Sequence, residues 1–461
     1  MVSNEGGFEF VAQESNGTLS REDRSKVRRH VMRTVKATQQ RNSEATLTYY
    51  AAHYSLPSMP LSGLELLVRD SGLDPIDLSA LSSIHLGAVA LAAIQSEPSQ
   101  LRHVLLCRQR SYFSFIPSRF GHALALDDAF RCLINAVHSY LIPHHKRSDN
   151  IILRYYGKAL RSLQSAVNDS IQRYAAETLC AASILALFEL FNSANGDRLW
   201  SNHLSGVCRL IQLRGAARFT SDFEKALLLQ LVYPLSVEAL FQNSECFFDH
   251  QVWMDVFKEL VDPLEIFTDR SLLGINLAMF MVRIPGLARR NTCAVNKQLE
   301  QHDIEALETS LRGLRSKITE WRRDFNTALI HATDIGADTC AENQNSNTDK
   351  RYELLGISLV IHILVSRMLV CIVPDGRALL ENEVQDRALE LKQVHQSVRK
   401  GNNNYNHKLY HYRAEFFLTQ KVKIADAAIA THLDFLSAAE SGHIVEPWML
   451  KKFCTELGRQ C

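Results

Sequence analysis

Between Tyr174 and Phe241 apolar residues recur at helical steps more densely than anywhere else in the chain. Cys180 to Phe191 reads CAASILALFELF, polar only at Ser183 and Glu189. A helix apolar on nearly every side is one surrounded by other helices. The turn NSANGD follows, with Asp197 placed to cap the next helix. That helix carries Trp200, Leu204, Val207 and Ile211 on one stripe. Gly206 interrupts it at a cost of about 1 kcal/mol relative to Ala, which a close helix crossing would explain. Gly215 after Arg214 is a stop signal. Ser221 and Glu224 form a capping box ahead of a leucine-rich helix that Pro234 should kink or end.

The same periodicity places a helix from Asp127 or Asp128 to Tyr140, another over Ile152 to Val167, and others over Trp253 to Leu264 and Ser271 to Val282. Ile304 to Leu329 is long and amphipathic, with Leu307, Leu311, Leu314, Ile318, Trp321 and Phe325 as its buried line and mixed charges on the other face. Hydrophobic and charged helices follow from Tyr352 and over Arg377 to Lys400, then a helix through Ala439. No alternation of the kind a strand needs persists for long. The expected fold is all-α, a large irregular bundle or array of antiparallel helix pairs with no substantial sheet. The expected organisation is a disordered N-terminus over 1–19, a basic helical segment over 20–42 opened by Ser20 and Asp23, and a helical domain over 43–332. An Asn/Asp/Thr-rich loop or linker over 333–351 and C-terminal helices over 352–461, packed on the same domain, complete it.

Composition narrows the function only by exclusion. Apolar content of 46% and charged content of 22% are ordinary for a globular chain, and the formal net charge of +1 gives no global pull toward nucleic acid or membrane. Any electrostatic partner must meet a local patch. None of the 10 cysteines falls in a C-x-x-C pair, and Cys132, Cys180, Cys208 and Cys371 sit in apolar helical runs where a thiol packs as a small hydrophobe. That usage fits a reduced compartment. Leu354 to Val373 comes nearest to a membrane span but holds His362 and Arg367, so a buried core helix is expected instead.

One local charge cluster stands out. Arg24, Lys26, Arg28, Arg29 and Arg33 crowd a predicted helix beside a Val27, Val31, Val35 stripe. Three readings are open: contact with a DNA backbone, a nuclear-import segment, or a solvated surface. Arg102, Arg108, Arg110 and Arg119 surround the aromatic stretch from Phe113 to Pro117, where they could face an anion or anchor a loop. His144 and His145 are adjacent and without ligand-spaced partners, which reads as a polar turn. His203, one turn from Trp200, is the most site-like histidine, although a lone His on an apolar face is usually a satisfied core residue. Dinucleotide, P-loop, nucleophile-elbow and zinc-protease motifs do not occur, and carboxylates are scattered along amphipathic faces. The expectation is no enzyme, no metal site and no cofactor.

The run ETLCAASILALFELF, then W-S-N-H-L-S-G-V and L-I-Q-L-R-G, resembles the central regulatory domain of fungal-specific transcription factors. Trp200, His203, Gly206, Leu210, Arg214 and Gly215 carry the likeness. Phe8 to Val11 and the basic stretch Arg29 to Arg33 add to it, and the resemblance covers most of Phe8 to about Phe248. It implies an all-helical regulator acting in the nucleus on gene expression, such as that of a metabolic gene cluster, with a structural role for the six motif residues. Proteins of this type commonly carry a six-cysteine binuclear zinc cluster ahead of the domain, and no cysteine here precedes Cys107. The expected partners are therefore the transcriptional machinery or another regulator, or a second copy as a homodimer, with DNA met only weakly or indirectly and no membrane. Ligand sensing in the helical core is an alternative means of control. A cytosolic helical binding or scaffold domain with no transcriptional role is the reading from a different class.

Overall fold

The computed structural model describes residues 63–141, 149–192, 196–335, 341–373, 375–402, 411–440 and 445–459. These residues form 18 α-helices joined by short turns, with no strand among them. The chain is thus all-α, as its periodicity predicts. The basic segment at 20–42 and the histidine pair at 144–145 lie outside the described residues. Among the described residues two compact units emerge, one within 63–81 and 110–218, the other within 82–109 and 219–459.

In the first unit, helices Leu124–Leu141, Asp149–Asn168, Ala176–Asn192 and Gly196–Arg214 pack successively, and Gly63–Ser71 leans on Leu124–Leu141. Ala176–Asn192 is buried without a break from Thr178 to Leu190, which is what its nearly polar-free sequence demands. The next helix begins at Gly196, one residue ahead of Asp197. Asp197 therefore sits in the first turn, not at the cap.

The second unit is built on four long helices, Gln301–Ile335, Ala341–Ile372, Arg377–Asn402 and Tyr412–Ala430, each packed on the next in sequence. Short connections make such neighbours antiparallel. The first and third then run parallel, and two ion pairs tie them at a common spacing: Arg315 to Glu383 at 2.7 Å, and Arg322 to Glu390. The predicted line of Gln301–Ile335, from Leu307 to Phe325, is buried throughout, with the Trp321 indole donating to the Leu273 carbonyl at 2.9 Å. Its opposite face is less solvated than the sequence predicts, because Arg315 and Arg322 turn to the neighbouring helix.

One expectation needs correction, and of the two outcomes expected at Pro234 one does not occur. The loop or linker at 333–351 is largely helical: Gln301–Ile335 runs into it and Ala341–Ile372 starts within it, inside the second unit. Two of its polar residues face the interior: Asp349 is buried and Lys350 bonds Asp269 at 2.6 Å. Pro234 does not end its helix either. Asp222–Phe241 runs through it behind the predicted capping box, with Ser221 N donating to Glu224 Oε2 at 2.9 Å. Residues 231–237 are all buried, and that packing outweighs the roughly 3 kcal/mol that an interior proline costs.

Leu272–Val295 and Thr348–Ile372 are long and apolar enough to cross a membrane by length and composition. The second is 83% buried among other helices. It packs on five of them, and at Gly356 an added Cβ would stand 2.7 Å from Leu418 Cδ2. That is the geometry of a core helix.

Candidate functional site

The motif residues of the first unit lie on Gly196–Arg214 and its stop. Trp200 and Leu210 are buried on the inner stripe, and Gly206 is buried with them. His203 is fully enclosed, its Nε2 3.3 Å from the Tyr156 hydroxyl and 3.4 Å from Glu189 Oε1, while that hydroxyl donates to Glu189. Tyr156 stacks on Phe188 with ring centroids 4.7 Å apart. Cys132 stands close enough that Glu189 adds to burial in pushing its thiol well above the ordinary range. Four helices each send one polar side chain to this point. All four side chains are buried, so the group joins helices and offers no open chemistry. Arg214, also buried, donates to the carbonyls of Tyr174 and, at 3.3 Å, Arg218; Arg218 returns a bond to the Arg214 carbonyl at 2.7 Å and stacks over the Tyr174 ring. Gly215 follows with φ +75°. These contacts fix where the helix stops. Of the arginines around Phe113, Arg119 pairs with Glu177. Arg24, Lys26, Arg28, Arg29 and Arg33 are outside the described residues.

A different place, in the second unit, gathers chemistry the sequence did not flag. On Tyr412–Ala430 the buried side is occupied by Phe416, Phe417 and Ile424 together with Gln420 and Lys421. Gln420 Oε1 accepts from the backbone N–H of His85 at 2.8 Å and of Leu86 at 3.0 Å, and its Nε2 donates to the Ser83 carbonyl at 3.3 Å. One amide thereby ties together Ser83, at the end of a 3-10 helix, and His85 and Leu86 beyond it. Lys421 Nζ donates to His85 Nδ1 at 2.9 Å and lies 4.6 Å from the Phe417 ring centroid. His85 stacks on Tyr233 at 4.9 Å and 10°.

Burial holds the Lys421 amine down at about 7, against the pull of Glu353. Burial first, then the Lys421 charge, pushes His85 well below the usual histidine value. His85 is therefore neutral at neutral pH, and Lys421 titrates there. Together with Tyr233, Val237, Ile357 and Leu364 they line a space of about 20 Å³. That is room for roughly one water molecule. Pockets for larger ligands run to several hundred Å³, so such a molecule would need the helices to part.

Close enough for Glu353 to act on Lys421 lies an ion cluster in which Arg413, Glu353 and Asp349 are buried. Arg413 Nε donates to Glu353 Oε1 at 2.8 Å, Lys350 reaches Glu353 at 3.0 Å and Asp269 at 2.6 Å, and His411 Nδ1 stands 2.8 Å from Asp349. Burial raises Glu353, but Arg413 and Lys350 outweigh it and hold the carboxyl below its ordinary value. These groups neutralise one another, as buried charges must. Among the described residues no group of three or more His, Cys, Asp and Glu could hold a metal ion. Sequence reading could have found Lys421 and Arg413 only by noticing that they share the helical phase of Phe416, Phe417 and Ile424.

Comparison with known proteins brings the family in. The fungal specific transcription factor domain matches residues 134–403, more than half of the chain. A protein of Emericella nidulans, printed as "Uncharacterized protein AN5342", is 26% identical over 174 residues, which is 34% of this chain and 36% of that protein. The chain thus spans little more than a third of that relative's length. No solved structure matches.

Proposed function

Because the chain belongs to the fungal specific transcription factor domain family, we propose that it is a nuclear regulator of transcription that works through protein contacts. The family match over residues 134–403 carries this reading, since it takes in helices of both units. The family is not enzymatic, and the clusters described above are buried braces. The enclosed space beside Lys421 is of water size, which favours a partner protein over a bulky effector as the means of control. Partners would be the transcriptional machinery, another regulator or a second copy, and target genes would include a metabolic cluster. Entry into the nucleus falls to Arg24, Lys26, Arg28, Arg29 and Arg33, the densest basic run in the chain.

The test has two arms. Deletion in the source organism should change a coherent set of transcripts. Replacing the five basic residues by Gln should move a fluorescently tagged chain from nucleus to cytosol and reproduce those changes. A chain that stays out of the nucleus before substitution, with transcripts unaltered by deletion, would fit a cytosolic scaffold and overturn the proposal.

A further inference from the structure

Residues 82–109 join the second unit by lying along Tyr412–Ala430. Their two helices, Gly87–Ser96 and Pro98–Leu105, both pack on it. Polar and ring contacts fasten the segment at two places. Toward one end His103 stacks on Tyr412, with ring centroids 4.5 Å apart and planes 17° from parallel. Toward the other, Gln420 holds Ser83, His85 and Leu86, and Lys421 Nζ donates to His85 Nδ1. The His85 ring lies flat on Tyr233 and edge-on to Phe417 at 5.1 Å. This second fastening carries a mismatch. An ammonium group has three N–H donors. Among the described residues Lys421 Nζ meets one acceptor, His85 Nδ1, and for the rest the Phe417 ring and walls such as Val237, Leu364 and Ile424. A buried donor without an acceptor is costly. The closed geometry therefore suits the neutral amine and penalises the charged one.

The charged groups on the surrounding elements do not relieve that penalty. Glu353, on Ala341–Ile372, acts on Lys421 through its charge, while its hydrogen bonds go to Arg413 and Lys350. Lys350, on the same helix, disfavours a charged His85. Tyr233, on Asp222–Phe241, stays a neutral phenol because burial pushes its hydroxyl well above the ordinary value. Leu272–Met281 and Pro447–Leu457 supply only Met281 and Leu457 to the walls. Arg377–Asn402 meets the helix on another side, where His395 Nε2 stands 3.1 Å from Thr419 Oγ1 and Lys392 bonds Asp426 at 2.7 Å. His432, past the end of the helix, serves Glu381, and Arg102 is exposed.

We propose that residues 82–109 form a proton-released strap: charging Lys421, and then His85, frees the segment from Tyr412–Ala430 while the rest of the second unit stays folded. His85 and Leu86 are themselves walls of the space around Lys421, so lifting the strap lets water reach both titrating side chains. Once released they bind protons at their ordinary values, 10.5 for the lysine and 6.5 for the histidine; in the closed state both are held lower, Lys421 at about 7. The open form therefore carries more protons, and falling pH favours it. Lys421 governs the window from 10.5 down to about 7, and His85 continues below 6.5. Partial openings of this kind need less free energy than global unfolding. The device does not depend on the regulatory reading, since 82–109 and 412–430 both lie outside the family match at 134–403.

The test is hydrogen exchange of the full chain, read by mass spectrometry and corrected for the pH dependence of free amides. Peptides over 83–94 report the strap, and peptides over 357–369 report the core helix of the same unit. The strap should open more often than the core at every pH. Its protection should rise roughly tenfold per pH unit between about pH 8 and 9, level out near 7, and fall again below about 6.5. In Lys421→Met the rise above pH 7 should vanish. The profile of the unaltered chain decides the matter even if that variant does not fold. Strap protection that stays flat from about pH 6 to 9 would overturn the proposal, as would strap and core peptides that open together throughout. A rise that persists undiminished in Lys421→Met would do so as well.

Discussion

Lys421 is a residue whose cost can be read against pH. Its folded value of about 7 lies below the ordinary 10.5, so between those limits the unfolded chain binds more protons than the folded one. Stability must therefore rise with pH across that window. Lys421→Met, similar in length and without charge, should abolish the rise, as urea unfolding at the two ends of the window would show. Arg413 works in the opposite sense. It is the main partner of the buried Glu353, and Arg413→Met should cost about 3–5 kcal/mol at neutral pH by stranding that carboxylate. Glu353 is depressed below 4.5, so its stabilisation is present above that value and lost as pH falls through the lower folded one. The deficit of the variant should accordingly shrink in acid, which denaturant titration at low pH would detect.

Elements begin and end here by local rules that tertiary packing sometimes overrides. Ser271 Oγ accepts from Gly274 N at 3.0 Å and donates to the Thr268 carbonyl at 2.8 Å, and a Cβ on Gly274 would run into that same carbonyl oxygen. Backbone cannot step aside as a side chain can, so Gly274→Ala should cost about 1–3 kcal/mol or more. Gly215→Ala, at φ +75° with open space around it, should cost about 1–2 kcal/mol from backbone strain alone. Chemical denaturation of the two variants should rank them in that order. The sequence made the helices and the Ser221 capping box legible because period and caps are local signals. It misled at 333–351 and left the outcome open at Pro234 because the pairing of Asp349 and Lys350 and the burial of residues 231–237 depend on partners far away in the chain.

At the scale of the whole molecule, the helical class and the motif around Trp200 and His203 were readable. The polar core of the second unit was not. Gln420, Lys421 and Arg413 look like surface residues until the helix that carries them is placed against His85 and Glu353. Composition gave no hint of it, since the cluster's charges cancel within a chain of net charge +1.

The bond from Gln420 to the backbone of His85 spans 335 residues. During synthesis, residues 82–109 leave the ribosome long before the helix that secures them, and all of 110–218 emerges in between. The second unit cannot close until nearly the last turn of translation, and long-range closure of this kind is slow. Until then residues 82–109 need shelter, from a chaperone or from other contacts. A nascent chain stalled before Tyr412 should be cleaved by protease within 82–109, whereas the finished chain should resist there. Premature termination near the 3′ end of the coding sequence would accordingly be as damaging as an early one.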